Sequence, residues 1–113
     1  MDRIFCKIVA GEIPANIIYK NGRVTAFTDL NPRAPTHILI IPNQHIDSLD
    51  ALTDDDTTNA AAACLHAARE IAQAQKLSGG YRLVTNTGPD AGQSVQHLHF
   101  HLLAGRQMGW PPG

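Results

Sequence analysis

Residues 97–103 read His97-Leu98-His99-Phe100-His101-Leu102-Leu103, alternating imidazole with apolar side chains. A period of two belongs to a β-strand, whose successive side chains point to opposite faces. His97, His99 and His101 therefore share one face of a strand over 96–103. Leu98, Phe100 and Leu102 share the other, which can pack beneath a helix. Same-face neighbours lie about 7 Å apart at their backbones, so the three imidazoles can meet on one small ligand. Repulsion among cations held this close favours neutral rings at pH 7. A neutral imidazole is both a nucleophile and a proton acceptor.

Just upstream runs Gly88-Pro89-Asp90-Ala91-Gly92-Gln93-Ser94. Its glycines permit a tight loop whose amides can converge on an anion, and Ser94 adds a hydroxyl. Two chemistries fit at this point. His-x-His on a strand is a zinc geometry that a third imidazole can complete. Against it, no cysteine or carboxylate adjoins the run, and the loop suits a phosphate better than a cation. Phosphoryl or nucleotidyl chemistry is the better reading.

The rest of the chain supplies a frame for that strand. Ile4, Phe5, Ile8 and Val9 recur at helical spacing within 2–10, with Gly11 as a stop. Ile17-Ile18-Tyr19 and 24–28 are strand-like around Asn21-Gly22, a hairpin signal because both turn positions tolerate positive φ. His37 to Ile41 is a buried-looking strand closed by Pro42. Thr53 before Asp54-Asp55-Asp56 caps a long helix, with Ala61, Leu65, Ala68, Ile71 and Ala72 as its apolar face. Ser78-Gly79-Gly80 ends it, and 81–85 is again strand-like. Strands and hairpins dominate, which predicts an α+β fold: a mainly antiparallel sheet of about five strands with one long and one short helix, in a single domain over 1–113.

Composition narrows the function. With 113 residues and a net charge of −1, the chain lacks the basic footprint of a duplex-binding protein. Its hydrophobic content of 43% is that of a globular protein, and no stretch reaches the roughly 20 apolar residues of a membrane span. Cys6 and Cys64, far apart in sequence, read as free thiols of a reducing compartment, so a cytoplasmic location is expected.

The His97–Leu103 segment is similar to the signature of the histidine triad (HIT) superfamily. The similarity extends over nearly the whole chain, through Ile4-Phe5-Cys6-Lys7-Ile8, Gly11-Glu12-Ile13-Pro14-Ala15, Ala34-Pro35-Thr36-His37-Ile38-Leu39 and Gly92-Gln93-Ser94-Val95. The ending Gly105-Arg106-Gln107-Met108-Gly109-Trp110-Pro111-Pro112-Gly113 resembles the Hint branch, the purine nucleoside phosphoramidases. The resemblance implies a homodimeric hydrolase that cleaves the P–N bond of adenosine or guanosine 5′-phosphoramidates, including lysyl-AMP types, without a cofactor. It assigns His99 as the nucleophile that forms a nucleotidyl-histidine intermediate. It places His101 and Ser94 around the phosphate and leaving amine, and His97 and His37 in a supporting proton network. Asp29 matches the ribose-binding carboxylate. Phe5, Ile8, Phe27 and Leu30 match the base slot; Asn86, Gly92, Gln93 and Val95 lie around the phosphate. Trp110 matches a tail residue, within 104–113, that reaches toward a partner subunit.

By residue type alone, Phe5, Ile8, Phe27 and Leu30 would be core, Asp29 a turn residue, His37 a core histidine and His66, beside Arg69 and Glu70, a surface residue. Two departures from the family pattern stand out. Some HIT proteins hold a structural zinc with Cys-x-x-Cys, a later histidine and the first triad histidine. Here Cys6 and His45 remain, but Arg3 replaces the other cysteine, so no structural zinc is expected. Gly109 stands where Hint proteins often carry histidine. The competing functions are dinucleoside polyphosphate hydrolysis, a nucleotide-binding regulator or scaffold, and a metal-binding module.

Overall fold

The structure, a computed structural model, describes residues 3–113. A short helix α1 (Ile4–Val9) precedes the hairpin β1 (Ile17–Lys20) and β2 (Val24–Thr28), then β3 (Thr36–Pro42). A 3-10 turn (Leu49–Ala51) leads to α2 (Asp54–Asp56), which runs through a π-helical turn (Thr57–Ala61) into α3 (Ala62–Ala74). β4 (Tyr81–Val84) and β5 (Phe100–Ala104) complete an entirely antiparallel five-stranded sheet of order β1-β2-β3-β5-β4. The α+β expectation holds. Of the helix expected over 2–10, residue 2 lies outside the described residues. α1 ends at Val9, and Gly11 follows with φ +77.

The Asn21-Gly22 hairpin forms by a different turn from the one expected. Neither residue takes positive φ. Instead the Asn21 carboxamide oxygen accepts the Arg23 and Val24 amides at 2.8 and 2.9 Å, an Asx turn. The cap of α2 is as expected: Thr53 Oγ1 accepts the Asp56 amide at 3.0 Å, and the Asp56 carboxylate accepts the Thr53 amide at 3.3 Å, a capping box. The buried stripe of α3 runs through Cys64, Ala67, Ala68, Ile71 and Ala72. Leu65, expected on that face, sits about 100° past Cys64 on the helix and is 51% exposed.

The sheet has two used faces. Val24, Ala26, Ile38, Ile40, Leu98, Phe100 and Leu102 pack with the buried stripe of α3. Phe27, Leu39 and Ile41 pack with Phe5 and Ile8 of α1 on the other side. The long helix thus covers the middle of one face, and the short helix covers part of the other. The uncovered part holds the site.

β5 begins at Phe100, four residues later than expected. Its register with β3, Ile40 opposite Phe100 and Leu39 opposite His101, would continue to Pro42 opposite Leu98. Pro42 has no N–H to donate, so the ladder stops there. Leu98 N–H turns to the Ile46 carbonyl at 2.6 Å instead. The alternation of faces survives through this unpaired stretch.

Candidate active site

The open side of the sheet beside α1 carries a cleft of about 390 Å³, ordinary for a small-molecule site. Phe5, Ile8, Phe27, Leu39 and Val95 make apolar walls, Leu30 an exposed lip, and Asp29, Ser94, His99 and His101 the polar end. Phe5 is core and wall together: it is 6% exposed and meets Phe27 edge-on at 5.5 Å and the His99 ring at 5.3 Å. Ile13, Pro14, Ala15, Asn16, Thr28, Asn31 and Leu39, none of them a site residue by its sequence pattern, also line the cleft. Only Leu39 had a legible signal, since it shares the face of His37 two residues before it.

Hydrogen bonds assign the protons of the histidines. His99 Nδ1 lies 2.6 Å from the His97 carbonyl and must donate to it, which leaves the Nε2 lone pair for the cleft. The His97 carbonyl is in the segment that left the ladder, and Thr85 Oγ1 donates at 2.8 Å to the His99 carbonyl, steadying it. His37 Nδ1 accepts the Arg33 amide at 3.0 Å, so its proton is on Nε2, which donates to His101 Nδ1 at 2.9 Å. His101 in turn carries its proton on Nε2. A lone pair on His99 and an N–H on His101 thus stand side by side, their ring centroids 5.1 Å apart.

The cause of neutrality is mainly burial rather than mutual repulsion. Desolvation pushes the His101 pKa down to about 4, the neighbouring His99 and His37 adding to it and Asp29 opposing. Burial likewise lowers His37, against the pull of Asp29 and with a smaller push from Arg33. A lowered histidine pKa means that the unfolded chain takes the proton first. The stability contributed by His101 is therefore present above the ordinary value of 6.5 and is lost as pH falls toward 4. Wild-type protein should lose several degrees of melting temperature over that interval, and His101→Asn, which keeps an acceptor for His37, should lose less. Equal slopes in thermal melts across pH would contradict this burial.

His97 does not join the proton network with its side chain, contrary to expectation; only its carbonyl serves the site. Its Nε2 donates to the Pro42 carbonyl at 2.8 Å, and its Nδ1 turns to Cys6 Sγ at 3.6 Å. His45 mirrors it, with Nε2 donating to Asp47 at 2.7 Å and Nδ1 facing the same sulfur at 3.2 Å. Two lone pairs and a thiol within 4.8 Å of one another, each imidazole braced by an oxygen behind it, are the donor set and outer shell of a soft-cation site. Cys6, His45 and His97 fit such an ion through three donors, leaving a fourth position open. A closed four-residue set, as structural zinc takes, does not form among the described residues. An ion there would cross-link α1 to the triad strand, away from the reacting end of the cleft.

Other expected residues fall outside the cleft lining. Asn86 is part-buried elsewhere, and Trp110 is 86% exposed on the tail. Gln93 builds the loop rather than facing a ligand: its side-chain Oε1 accepts the Gly88 amide, and its Nε2 donates to the Asp47 and Val95 backbone carbonyls. The Gly92 and Gln93 amides are spent on Pro89 and Gly88 inside that loop, with Gly92 at φ +79. Ser94 stands exposed at the cleft. Gly109 gives its carbonyl to Arg82 at 2.9 Å, which ties down the tail. His66 pairs with Glu70 on the surface, as expected.

The HIT domain family model matches residues 10–108, and the chain belongs to that family. It superposes on a HIT family hydrolase from Legionella pneumophila with a TM-score of 0.94 at 50% identity, covering 97% of this chain and 98% of that one. A histidine triad nucleotide-binding protein from Candida albicans gives 0.79 at 34% identity, covering 96% and 82%. A 14 kDa zinc-binding protein of Zea mays is 47% identical over 112 residues, 97% of this chain and 87% of that protein. The chain is thus a HIT-family, hydrolase-like protein.

Proposed function

We propose that this protein hydrolyses the P–N bond of purine nucleoside 5′-phosphoramidates, adenosine or guanosine, lysyl-AMP types included. The observation that carries the reading is the pairing of a bare Nε2 on His99 with an N–H on His101 at the polar end of an apolar cleft. The walls suit the faces of a purine, and Asp29 offers two oxygens for a ribose diol. His99 Nε2 bonds to phosphorus as the P–N bond breaks with its electrons staying on nitrogen. The leaving amine takes a proton relayed from solvent through His101 Nε2, so the ring stays neutral. Water then places hydroxide on phosphorus and releases a proton to solvent, freeing His99. Ser94, with the amides from its position onward, faces the non-bridging oxygens, where donors stabilise developing charge. No step calls for a cofactor.

Two copies pairing is part of this reading, since β4 is an outer strand with Tyr81 46% exposed, and Trp110 stands clear on the tail. No helix among the described residues is long and apolar enough to cross a membrane. The free thiols Cys6 and Cys64 suit a cytoplasmic, reducing setting. The test is incubation with adenosine 5′-phosphoramidate at neutral pH. We expect AMP, and an acid-labile nucleotidyl adduct in the intact mass of a protein that sediments as a dimer. Absence of both AMP and adduct would overturn the reading in favour of a nucleotide-binding scaffold.

A further inference from the structure

Asp29, just after β2, touches more than the cleft. Its backbone N–H donates to the His37 carbonyl at 3.0 Å. Its Oδ1 accepts the Asn31 amide at 2.8 Å, and its Oδ2 lies 3.4 Å from His37 Nε2. His37 Nε2–H thus donates to His101 Nδ1 at 2.9 Å, with the Asp29 carboxylate beside it in ion-pair range. On the far side the Arg33 amide holds Nδ1, and the Arg33 carbonyl is itself held by Arg106 Nε at 2.9 Å. Asp29 and His101 line the cleft, while His37 is buried behind them. The three donor atoms also lie within 4.8 Å of one another. They do not make a metal site, because the Nδ1 atoms of both rings are already engaged and a proton occupies the space between.

We propose that Asp29 is a positioning residue for the His37–His101 pair as well as a contact for the nucleoside. A carboxylate beside an imidazole N–H holds the ring's orientation and tautomer. Asp29 acts with the Arg33 amide to hold His37 as the Nε2–H form, and His37 then holds His101 with its own N–H turned into the cleft. Sugar recognition and the proton-presenting side of the site therefore share one carboxylate. The proposal rests on the phosphoramidase reading above for its kinetic test but not for its spectroscopic one.

Asp29→Asn puts an amide N–H against His37 Nε2–H if its oxygen keeps the Asn31 turn, and so opposes that tautomer. Asp29→Ser retains a hydroxyl for the turn and withdraws the carboxylate altogether. The experiment compares wild type and both variants, each checked for native circular dichroism, on adenosine 5′-phosphoramidate and on its 2′,3′-dideoxy analogue. A residue that serves only the ribose diol loses its effect on the dideoxy substrate. We expect kcat to fall about 10- to 100-fold on both substrates, with an added rise in KM only on the ribose one. Unchanged kcat on the dideoxy substrate overturns the proposal. Nitrogen NMR of the imidazoles in substrate-free protein reads the same point without turnover. We expect protonated Nε2 on His37 and His101 in wild type and a changed pattern in the variants; an unchanged pattern again overturns it. If wild type hydrolyses neither substrate, the phosphoramidase reading fails and the NMR comparison alone decides the role of Asp29.

Discussion

On the proposed phosphoramidase reading, His99→Ala is expected to abolish hydrolysis of adenosine 5′-phosphoramidate, lowering kcat by roughly 10⁴-fold or more, because no other group offers its lone pair to phosphorus from that position. The neighbouring imidazole cannot substitute: the Nδ1 of His101 is filled by His37 and its Nε2 carries a proton. AMP binding should survive, since the walls of the cleft and Asp29 are untouched. Turnover assays beside calorimetric AMP binding separate the two effects. A variant that retained wild-type turnover would remove His99 from the mechanism.

The second large effect is structural and catalytic together. Phe5→Ala removes a ring that packs on Phe27, on His99 and, at 5.9 Å, on His97. Truncating a buried phenylalanine costs about 3–5 kcal/mol, a large share of the roughly 5–15 kcal/mol that holds a domain together. The melting temperature should fall on the order of 10–20 °C. Leu102→Ala is the matched control. Leu102 is fully buried on the opposite face of the sheet, against α3, and its loss costs about 2–5 kcal/mol without opening the cleft. Denaturant melts should therefore show comparable losses, while KM rises only for Phe5→Ala. Equal KM values in the two variants would show that Phe5 supports the fold alone and forms no wall for the base.

Much of this was legible beforehand where the signal was local. The capping box at Thr53 and Asp56 involves four consecutive residues, and the assignment of the triad to one face needs only the two-residue period of an extended chain. The place of the hairpin is legible, but its turn is not, because Asn21 can close a turn through its side chain as well as by positive φ. The start of β5 was misplaced because the residue that ends its ladder, Pro42, lies on another strand. Leu65 falls off the buried stripe although it matches the period, because Ala60, Ala61, Ala67 and Ala68 leave two phases one residue apart between Cys64 and Leu65.

The roles within the histidine cluster divide in the same way. Sequence alone determined that His97, His99 and His101 share a face, since alternation is a property of the backbone and needs no partner. Alternation by itself could not determine that they serve different ends. The tertiary structure decided that, through groups distant in the chain: Pro42 and Cys6 draw His97 away from the reaction, while Arg33 and His37 place the proton of His101. Imidazole has two nitrogens, and which of them is bare depends on what touches the other. That contact exists only once β3, α1 and the triad segment have been brought together.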